Sequence, residues 1–223
     1  MKRSIQLCGM ELEWRKAWGQ RWFRIHFVLT LLFMLIIMNV IIRVMDHMET
    51  VPGAVINDPI LPHLPVVDMT WPLTFLIYSS LGLLIWSNLK EPRAFLLSCQ
   101  TYSLMIFTRT ITLYSFPLEA PIDIIPLADP IVMAKSEYGM IHTKDLFFSG
   151  HTATMFLCFL TTANPKLRVW FLIASLLVGT FVLLQHVHYT IDVVAAPFIT
   201  YMCHRLTLVV NEKLVPIEAQ RPS

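Results

Sequence analysis

Six apolar runs, each about as long as a helix that crosses a bilayer, constrain this chain more than any other feature of its sequence. A helix needs about 20 mainly apolar residues to span the hydrocarbon core. The runs cover residues 23–42, 71–89, 94–116, 147–163, 168–185 and 190–210. Charged residues make up only 14% of the chain, whereas ordinary soluble domains have about 25%. We therefore predict an all-α integral membrane protein with six transmembrane helices in one domain, residues 1–223.

Lysine and arginine residues are unequally divided between the two sides that six spans create. The side shared by both termini and by the loops after the second and fourth spans holds Lys2, Arg3, Arg15, Lys16, Arg21, Arg24, Lys90, Arg93, Lys166, Arg168, Arg205, Lys213 and Arg221. The opposite loops hold only Arg43, Lys135 and Lys144. Because loops rich in lysine and arginine stay in the cytoplasm, we predict that both termini are cytoplasmic. Residues 1–22 then form an interfacial lead-in, and residues 211–223 form a cytoplasmic tail.

The non-cytoplasmic side receives two long loops and two polar motifs. The loops, residues 43–70 and 117–145, are rich in proline and aspartate, and we expect irregular caps there, not separate domains. The motifs are LFFSGHT at 146–152 and HVHYTID at 186–192, each at the start of a predicted span. Because both motifs begin helices on the same side, we expect their side chains to meet.

Within HVHYTID, His188 and Asp192 are four residues apart and share one face of a helix. An aspartate in that position can accept the Nδ1–H of the ring, which leaves Nε2 unprotonated and more basic. That arrangement suits a nucleophilic or general-base histidine. The alternative is a purely structural His–Asp pair at a helix start. Tyr189, between them, is a further candidate for substrate contact, with packing as the alternative.

Within LFFSGHT, Ser149 and Gly150 are placed at the N-terminus of a predicted helix. Backbone N–H groups there lie at the positive end of the helix dipole and bind anions, phosphate above all. His151 beside them can give a proton to a leaving oxygen. The alternative is an ordinary helix cap followed by an interfacial histidine.

Three further charged residues are candidates for binding substrate. Arg109 lies well inside the apolar run 94–116, where a charge is costly unless it is paired or faces a watery cavity. Its guanidinium suits phosphate oxygens, and the alternative is a side chain that reaches the membrane surface. Lys144 and Asp145 directly precede the LFFSGHT motif. They are either ordinary loop charges or part of the site, where Asp145 can orient a histidine.

SGHT followed by HYTID, with one helix between them, resembles the sphingomyelin synthase branch of the type 2 phosphatidic acid phosphatase (PAP2) superfamily. KDLFFSGHT (144–152) and HVHYTIDVVAAPFIT (186–200) are similar to the third and fourth motifs of that branch. FTRTITLYSFP (107–117) is similar to the segment around its third helix, and LPHLPVVDMTW (61–71) more loosely to the motif before its second. The resemblance covers roughly residues 60–200 and implies a PAP2-like helical bundle.

The resemblance also implies a reaction. His188 would attack the phosphorus of a glycerophospholipid and form a phosphohistidine, with Asp192 orienting the ring. His151 would protonate the departing diacylglycerol and then deprotonate an acceptor hydroxyl, on ceramide or another diacylglycerol. Neither a metal nor another cofactor is implied, and the partners expected are lipids in a bilayer, with no nucleic acid. The active site would face the lumen or the exterior, in the Golgi, the endoplasmic reticulum or the plasma membrane.

Two alternatives to a transferase remain open on the sequence. The lipid phosphatases of the superfamily carry KxxxxxxRP and SRxxxxxHxxxD, but here Phe181 and Val182 stand where Ser-Arg would precede His188. That departure favours transfer over hydrolysis, with a phosphatase that uses water as the alternative. A membrane transporter is the non-enzymatic alternative, although its polar groups would be spread over several depths. A homo-oligomer is compatible with either class.

The four cysteines do not change this interpretation. Cys8, Cys99, Cys158 and Cys203 lie far apart, with no CxxC pair. This spacing indicates neither a disulfide framework nor a zinc site.

Overall fold

The computed structural model of the chain describes residues 2–127 and 141–214. Over these residues the chain forms seven α-helices and one short 3-10 helix, with no β-strand, which confirms the all-helical prediction for this part of the chain. The α-helices are α1 Lys2–Gly19, α2 Arg21–Thr50, α3 Thr70–Asn88, α4 Pro92–Ser115, α5 Gly150–Thr161, α6 Pro165–Leu184 and α7 Thr190–Leu214, and the 3-10 helix is Leu61–His63. Lys135 and the end of the predicted tail lie outside the described residues.

Local sequence signals account for several helix starts. Pro92 and Pro165 occupy the first turns of α4 and α6, where a proline loses no hydrogen bond because the N–H groups there have no partner within the helix. Asn164 caps α6 by accepting the Lys166 N–H at 3.0 Å. Ser149 caps α5, and its Oγ accepts the Thr152 N–H at 3.4 Å.

Four helices are long and apolar enough to cross a membrane: α2, α3, α6 and α7. They correspond to the predicted runs 23–42, 71–89, 168–185 and 190–210. Each exposes large apolar side chains, among them Leu29, Trp71, Leu176 and Phe198. Exposed apolar surface on this scale is what a helix in contact with lipid requires.

The two remaining predicted spans behave differently. α4 has the length to cross, but buried polar residues such as Thr101, Ser103 and Thr110 interrupt its apolar character. The run predicted as 147–163 contains only the 12 residues of α5, or about 18 Å of helix, because the chain is irregular up to Ser149. The six-span arrangement is therefore supported for four helices by length and composition.

The position of α4 and α5 in the bundle explains their composition. α4 packs against α1, α2, α3, α5 and α7, and α5 packs against α3, α4, α6 and α7. Every residue of α5 is buried or half-buried. The hydroxyl groups of Ser103 and Thr110 donate to the carbonyls of Cys99 and Ile106. These inner helices meet protein where the outer ones meet solvent or lipid, so their sequences need not be uniformly apolar.

One end of the bundle carries the long loops, and we call it the loop end. Its described residues are 51–69, 116–127, 141–149 and 185–189. Ala54 pairs with the segment after α4, since its N–H donates to Pro117 at 2.9 Å and its carbonyl accepts from Glu119 at 3.0 Å. A Cβ at Gly53 would overlap the backbone of Leu118, so this close approach requires glycine.

The first loop is shorter than predicted. An irregular cap is expected over 43–70, but α2 continues to Thr50. Its 30 residues measure about 45 Å, longer than the roughly 30 Å hydrocarbon core. The last turns of α2 therefore extend to the loop end, where Asp46 Oδ1 lies 2.8 Å from Nε2 of His142.

Candidate active site

The structure brings the two polar motifs together at the loop end. α5 and α7 pack against each other, and the backbone N–H of Ser149 donates to the carbonyl of Asp192 at 3.2 Å. The two helices therefore start side by side. Ser149 is fully buried, and its hydroxyl donates to Thr152 at 3.1 Å. The two motifs are therefore adjacent through their backbones, and the convergence of the His151 and His188 side chains on one space stays a prediction.

His188 and Asp192 form a buried pair at the start of α7. The ring Nδ1 of His188 lies 3.4 Å from Oδ2 of Asp192, and the side chains are 3% and 0% exposed. The same Oδ2 accepts the backbone N–H of Tyr189 at 3.0 Å, while Oδ1 has no hydrogen-bond partner among the described residues. Asp192 therefore both caps the helix and orients the imidazole, which places the ring's Nε2 on the side away from the carboxylate.

Arg109 lies against the N-terminus of α5. It is 3% exposed, and its Nη1 binds Asp145 Oδ1 at 2.6 Å. A Cβ built on Gly150 would be 2.7 Å from the Arg109 Nε, so the guanidinium rests directly on the first residue of α5. That Nε has no hydrogen-bond partner among the described residues. An unpartnered guanidinium N–H thus lies beside a helix N-terminus, and both kinds of group favour an anion.

Asp145 interacts electrostatically with Arg109 and with both histidines. Burial alone would raise the pKa of its carboxyl, but the Arg109 guanidinium overrides that effect. Positive charge on His188 and His151 lowers the pKa further, so that the net value lies below the ordinary one. Asp145 is therefore ionised at neutral pH, and both imidazoles lie within its electrostatic reach.

A cavity of about 230 Å³ adjoins these groups. Its lining residues are Met38, Ile41, Ile42, Met45, Ile77, Tyr78, Leu81, Tyr102, Ile106, Arg109, Asp145, Gly150, His151 and Thr154. Side chains of α2, α3 and α4 form mostly apolar walls, and Arg109, Asp145 and His151 supply the charged and imidazole groups. The cavity therefore joins an apolar space to the ion pair of Arg109 and Asp145 and to the imidazole of His151.

His188 is closed off by the loop end. Several hydrogen bonds join the loops to the end of α6 and to the segment that follows it, and three of them serve as examples. Val67 donates to Leu184 at 2.8 Å, Ile125 donates to Gln185 at 3.0 Å, and the Tyr189 hydroxyl donates to the Glu119 carbonyl at 3.1 Å. His188 does not line the cavity and is 2% exposed. The loop end is a roof over the pair that His188 forms with Asp192.

Two of the predicted substrate-binding residues are occupied elsewhere. The Lys144 ammonium donates to the Glu119 carboxylate at 2.9 Å and to the Val51 carbonyl at 3.0 Å, and Lys144 does not line the cavity. Tyr189 is 2% exposed, and its hydroxyl is bound to the loop after α4. In this structure both side chains fasten the loop end, and contact with a substrate stays a prediction for them.

Several residues that shape the site carried no signal in the sequence. Asp58 binds the first residue of α7, and Glu49 accepts the backbone N–H groups of Thr143 and Lys144 at 2.6 and 2.7 Å. These contacts join segments about 90 or more residues apart in the chain. The NDP sequence at 57–59 is typical of a turn, but a turn motif does not name the distant helix that it caps.

Among the described residues, no group of three or more histidine, cysteine, aspartate or glutamate side chains is placed to hold a metal ion. The expectation that the reaction proceeds without a metal stays a prediction.

A comparison with known protein families gives a match over the part of the chain that contains the two motifs. Residues 143–208 match the family model described as PAP2 superfamily C-terminal, a segment that contains both of them. The match supports membership of the PAP2 superfamily, whose members are phosphoryl-transferring or phosphate-ester-hydrolysing enzymes. No curated protein matches the chain.

Proposed function

We propose that the chain is a lipid phosphotransferase of the sphingomyelin synthase type. It moves a phosphocholine or phosphoethanolamine group from a glycerophospholipid to the hydroxyl of ceramide or diacylglycerol. The observation that carries this proposal is the cavity, which joins apolar walls to Arg109, Asp145 and His151. A phospholipid has the same two parts, acyl chains and a phosphate diester, joined over a short distance.

The proposed membrane arrangement follows from the two ends of the bundle. α2 to α7 form six membrane-embedded helices, with α5 enclosed by its neighbours. The loop end faces the lumen or the exterior, and both termini are cytoplasmic. Supporting this, Trp14 of α1 donates to the Leu89 carbonyl at 2.7 Å, so α1 and the turn between α3 and α4 share the end opposite the loops. The host membrane would be that of the Golgi, the endoplasmic reticulum or the cell surface.

In the first half-reaction, Nε2 of His188 attacks the phosphorus of the donor. The bond between phosphorus and the diacylglycerol oxygen breaks, and His151 gives that oxygen a proton. The products are free diacylglycerol and a head-group phosphate bound to His188. Asp192 supports the step because its carboxylate holds Nδ1 and stabilises the positive charge that the ring acquires.

In the second half-reaction, the acceptor hydroxyl attacks the phosphorus. His151, now neutral, takes the hydroxyl proton, and the bond between His188 and phosphorus breaks. The same residue is acid in one half and base in the other, as microscopic reversibility requires. Such acid–base help contributes about 10²–10⁴-fold to a rate.

The phosphate oxygens would be held at the start of α5. Within the described part of the chain, the start of α5 and the unpartnered Nε of Arg109 lie next to each other, because a Cβ on Gly150 would be 2.7 Å from that Nε, and the lack of a side chain on Gly150 leaves room for the guanidinium there. Negative charge grows on the non-bridging oxygens as phosphorus becomes five-coordinate. Preorganised donors of this kind stabilise that charge.

Because the loop end covers His188, the structure favours a lipid acceptor over water. A phosphohistidine is lost to hydrolysis wherever water reaches it, and here His188 and Asp192 are covered by the loop end while the cavity walls are apolar. The apolar cavity is the route that we propose for the lipids, and because His188 does not line it, the contacts that cover His188 must open before a lipid reaches Nε2. A PAP2-type phosphatase would instead need an aqueous path to the phosphorus.

The test uses the purified protein in vesicles with head-group-labelled phosphatidylcholine or phosphatidylethanolamine. Ceramide, or diacylglycerol with distinguishable acyl chains, is added or omitted, and the lipid products are identified by mass spectrometry. A transferase places the label on the added acceptor. Release of free phosphate from phosphatidic acid, whatever acceptor is present, would identify a phosphatase, and the absence of any product would favour the transporter.

A further inference from the structure

Asp58 is a buried carboxylate in the loop between α2 and α3, and both of its oxygens are fully engaged. Oδ1 accepts from the backbone of Ile60 at 2.9 Å, the backbone of Leu61 at 3.0 Å and the hydroxyl of Thr190 at 3.0 Å. Oδ2 accepts the backbone N–H of Thr190 at 2.5 Å. The residue as a whole is only 6% exposed. Its side chain thus joins a tight turn of its own loop to the first residue of α7.

The contact matters because helix N-termini leave their first N–H groups without partners in the helix. At α7, two carboxylates satisfy adjacent donors: Asp192 takes the N–H of Tyr189, and Asp58 takes that of Thr190. Asp192 must use the same Oδ2 for the imidazole of His188. The orientation of the Asp192 carboxylate therefore depends on the position of the first turn of α7. Asp58 holds that turn through its hydrogen bonds to Thr190.

A small hydrophobic cluster holds the turn around Asp58 between the segment that carries Asp145 and the segment that carries His188. Leu61, Leu146 and Tyr189 pack together there. Leu146 follows Asp145 in the chain, and Tyr189 follows His188. The turn around Asp58 therefore packs against both the segment that carries Asp145 and the segment that carries His188. Its position helps to set the distance between these two segments.

The charge state of Asp58 fits this role. Burial raises the pKa of its carboxyl, but hydrogen bonds from Leu61, Ile60 and Thr190 together outweigh that effect and leave the pKa below its ordinary value. A carboxylate at the start of a helix also interacts favourably with the helix dipole. The group is therefore an anion at neutral pH, and it binds the residue that lies two positions before Asp192 in the chain.

We propose that Asp58 is a positioning residue for the reaction: through Thr190 it holds the first turn of α7 so that Asp192 orients His188. The inference rests on the proposed function for the identity of the chemical step, but not for the geometry of the pair. Asp58 touches neither the cavity nor the phosphate space, so its effect should appear in the rate of the step and not in lipid binding.

The test compares Asp58→Asn with Asp68→Asn in the full-length protein. Asp68 lies in the same loop and caps α3, where Oδ1 accepts the Thr70 N–H at 2.9 Å. An amide has one acceptor oxygen, so the asparagine in Asp58→Asn cannot serve all four donors. The control variant changes the cap of α3, a helix that carries neither residue of the proposed catalytic pair. Asp58→Asn should lower kcat by up to about 10²-fold, the scale of a small misplacement of reacting groups, with KM for the donor little changed. Asp68→Asn should leave both constants close to those of the wild type.

The pH profile separates positioning from simple damage to the fold. Asp192 and Asp145 are the carboxylates that interact with His188, and Asp58→Asn disturbs the position of Asp192. The kcat profile should therefore shift along the pH axis in Asp58→Asn, whereas a smaller folded fraction would lower the whole profile without moving it. An unshifted profile, or an equal loss in Asp68→Asn, would overturn the proposal.

A second measurement does not depend on turnover. Spectra of ¹⁵N-histidine-labelled protein report the tautomer and titration of His188, assigned by the signal that His188→Gln removes. We expect the Nδ1–H tautomer in the wild type and a mixture of tautomers in Asp58→Asn. Identical His188 signals in the two proteins would refute the role of Asp58. If the wild type made no lipid product, the proposed function would fail while this comparison still decided the role of Asp58.

Discussion

The His188–Asp192 half of the site is enclosed by the loop end, whereas the half formed by Arg109, Asp145 and His151 lines a cavity. In the first half, hydrogen bonds fix a helix start and a carboxylate, and almost no surface is exposed. In the second, an ion pair lies beside an apolar space large enough for part of a lipid. Under the proposed function, this difference predicts that one half presents the nucleophile in a fixed orientation and that the other receives and releases lipids.

The largest effect should come from His188→Ala. If the enclosed half supplies the nucleophile, neither half-reaction can begin, and diacylglycerol release from labelled phosphatidylcholine should fall to background. Residual acceptor-dependent transfer at more than a trace in this variant would mean that the donor and acceptor react directly, and the comparison between the halves would lose its basis.

Asp192→Asn should follow, with a loss on the order of 10³–10⁴-fold in kcat, as when a histidine loses its orienting aspartate elsewhere. The amide can still accept from Tyr189, so the helix start should survive, but it can hold the wrong tautomer and cannot stabilise a charged ring. Steady-state rates with thermal unfolding as a control test this. A loss confined to unfolding temperature would mark the pair as structural.

His151→Ala acts on the open half and should cost about 10²–10⁴-fold. Because His151 serves both half-reactions, single-turnover formation and breakdown of the phosphohistidine should slow together. A donor with a better leaving group than diacylglycerol needs no proton, so formation should be rescued with such a donor while breakdown stays slow. Rescue of neither step, or of both, would contradict the assigned role.

The smallest effect should come from Gly150→Ala. The added methyl group would lie 2.7 Å from the Arg109 Nε, which forces the guanidinium away from the start of α5. We expect KM for the donor to rise by about tenfold, the equivalent of one lost charge-assisted hydrogen bond, with kcat less affected. Gly82→Ala is the matched control, because nothing lies within 4 Å of a Cβ there. An unchanged KM in Gly150→Ala would argue against an anion site at this helix start.

The sequence predicted the parts of the site that depend on local spacing. His188 and Asp192 fall on one face because α-helical periodicity places residues four apart together, and Ser149 caps α5 because serine before glycine is a common helix start. The position of Arg109 could be suspected from its cost in an apolar run. That Arg109 meets Gly150 and Asp145 is a matter of packing between helices, which no local pattern encodes.

Where the structure differs from a sequence-based expectation, the cause is again physical. Lys144 precedes the motif and is basic, as a phosphate-binding residue would be, and in this structure its ammonium group binds Glu119 and the Val51 carbonyl. Hydropathy placed a span at 147–163 because Leu146 to Phe148 are as apolar as the helix that follows. Leu146 and Phe148 are buried and Phe147 is half-buried in the loop end, and none of the three extends α5.

The enclosure of α5 bears on how such a chain enters a bilayer. A segment of 12 helical residues is about 18 Å long, short of the roughly 30 Å that a helix must cross by itself, and it has no fully exposed residue to present to lipid. During synthesis, α5 by itself would gain little free energy by moving from the translocation channel into the lipid. In the proposed membrane arrangement, α5 would become stable only when its neighbours α4, α6 and α7 surround it, so its insertion would be coupled to the assembly of the bundle.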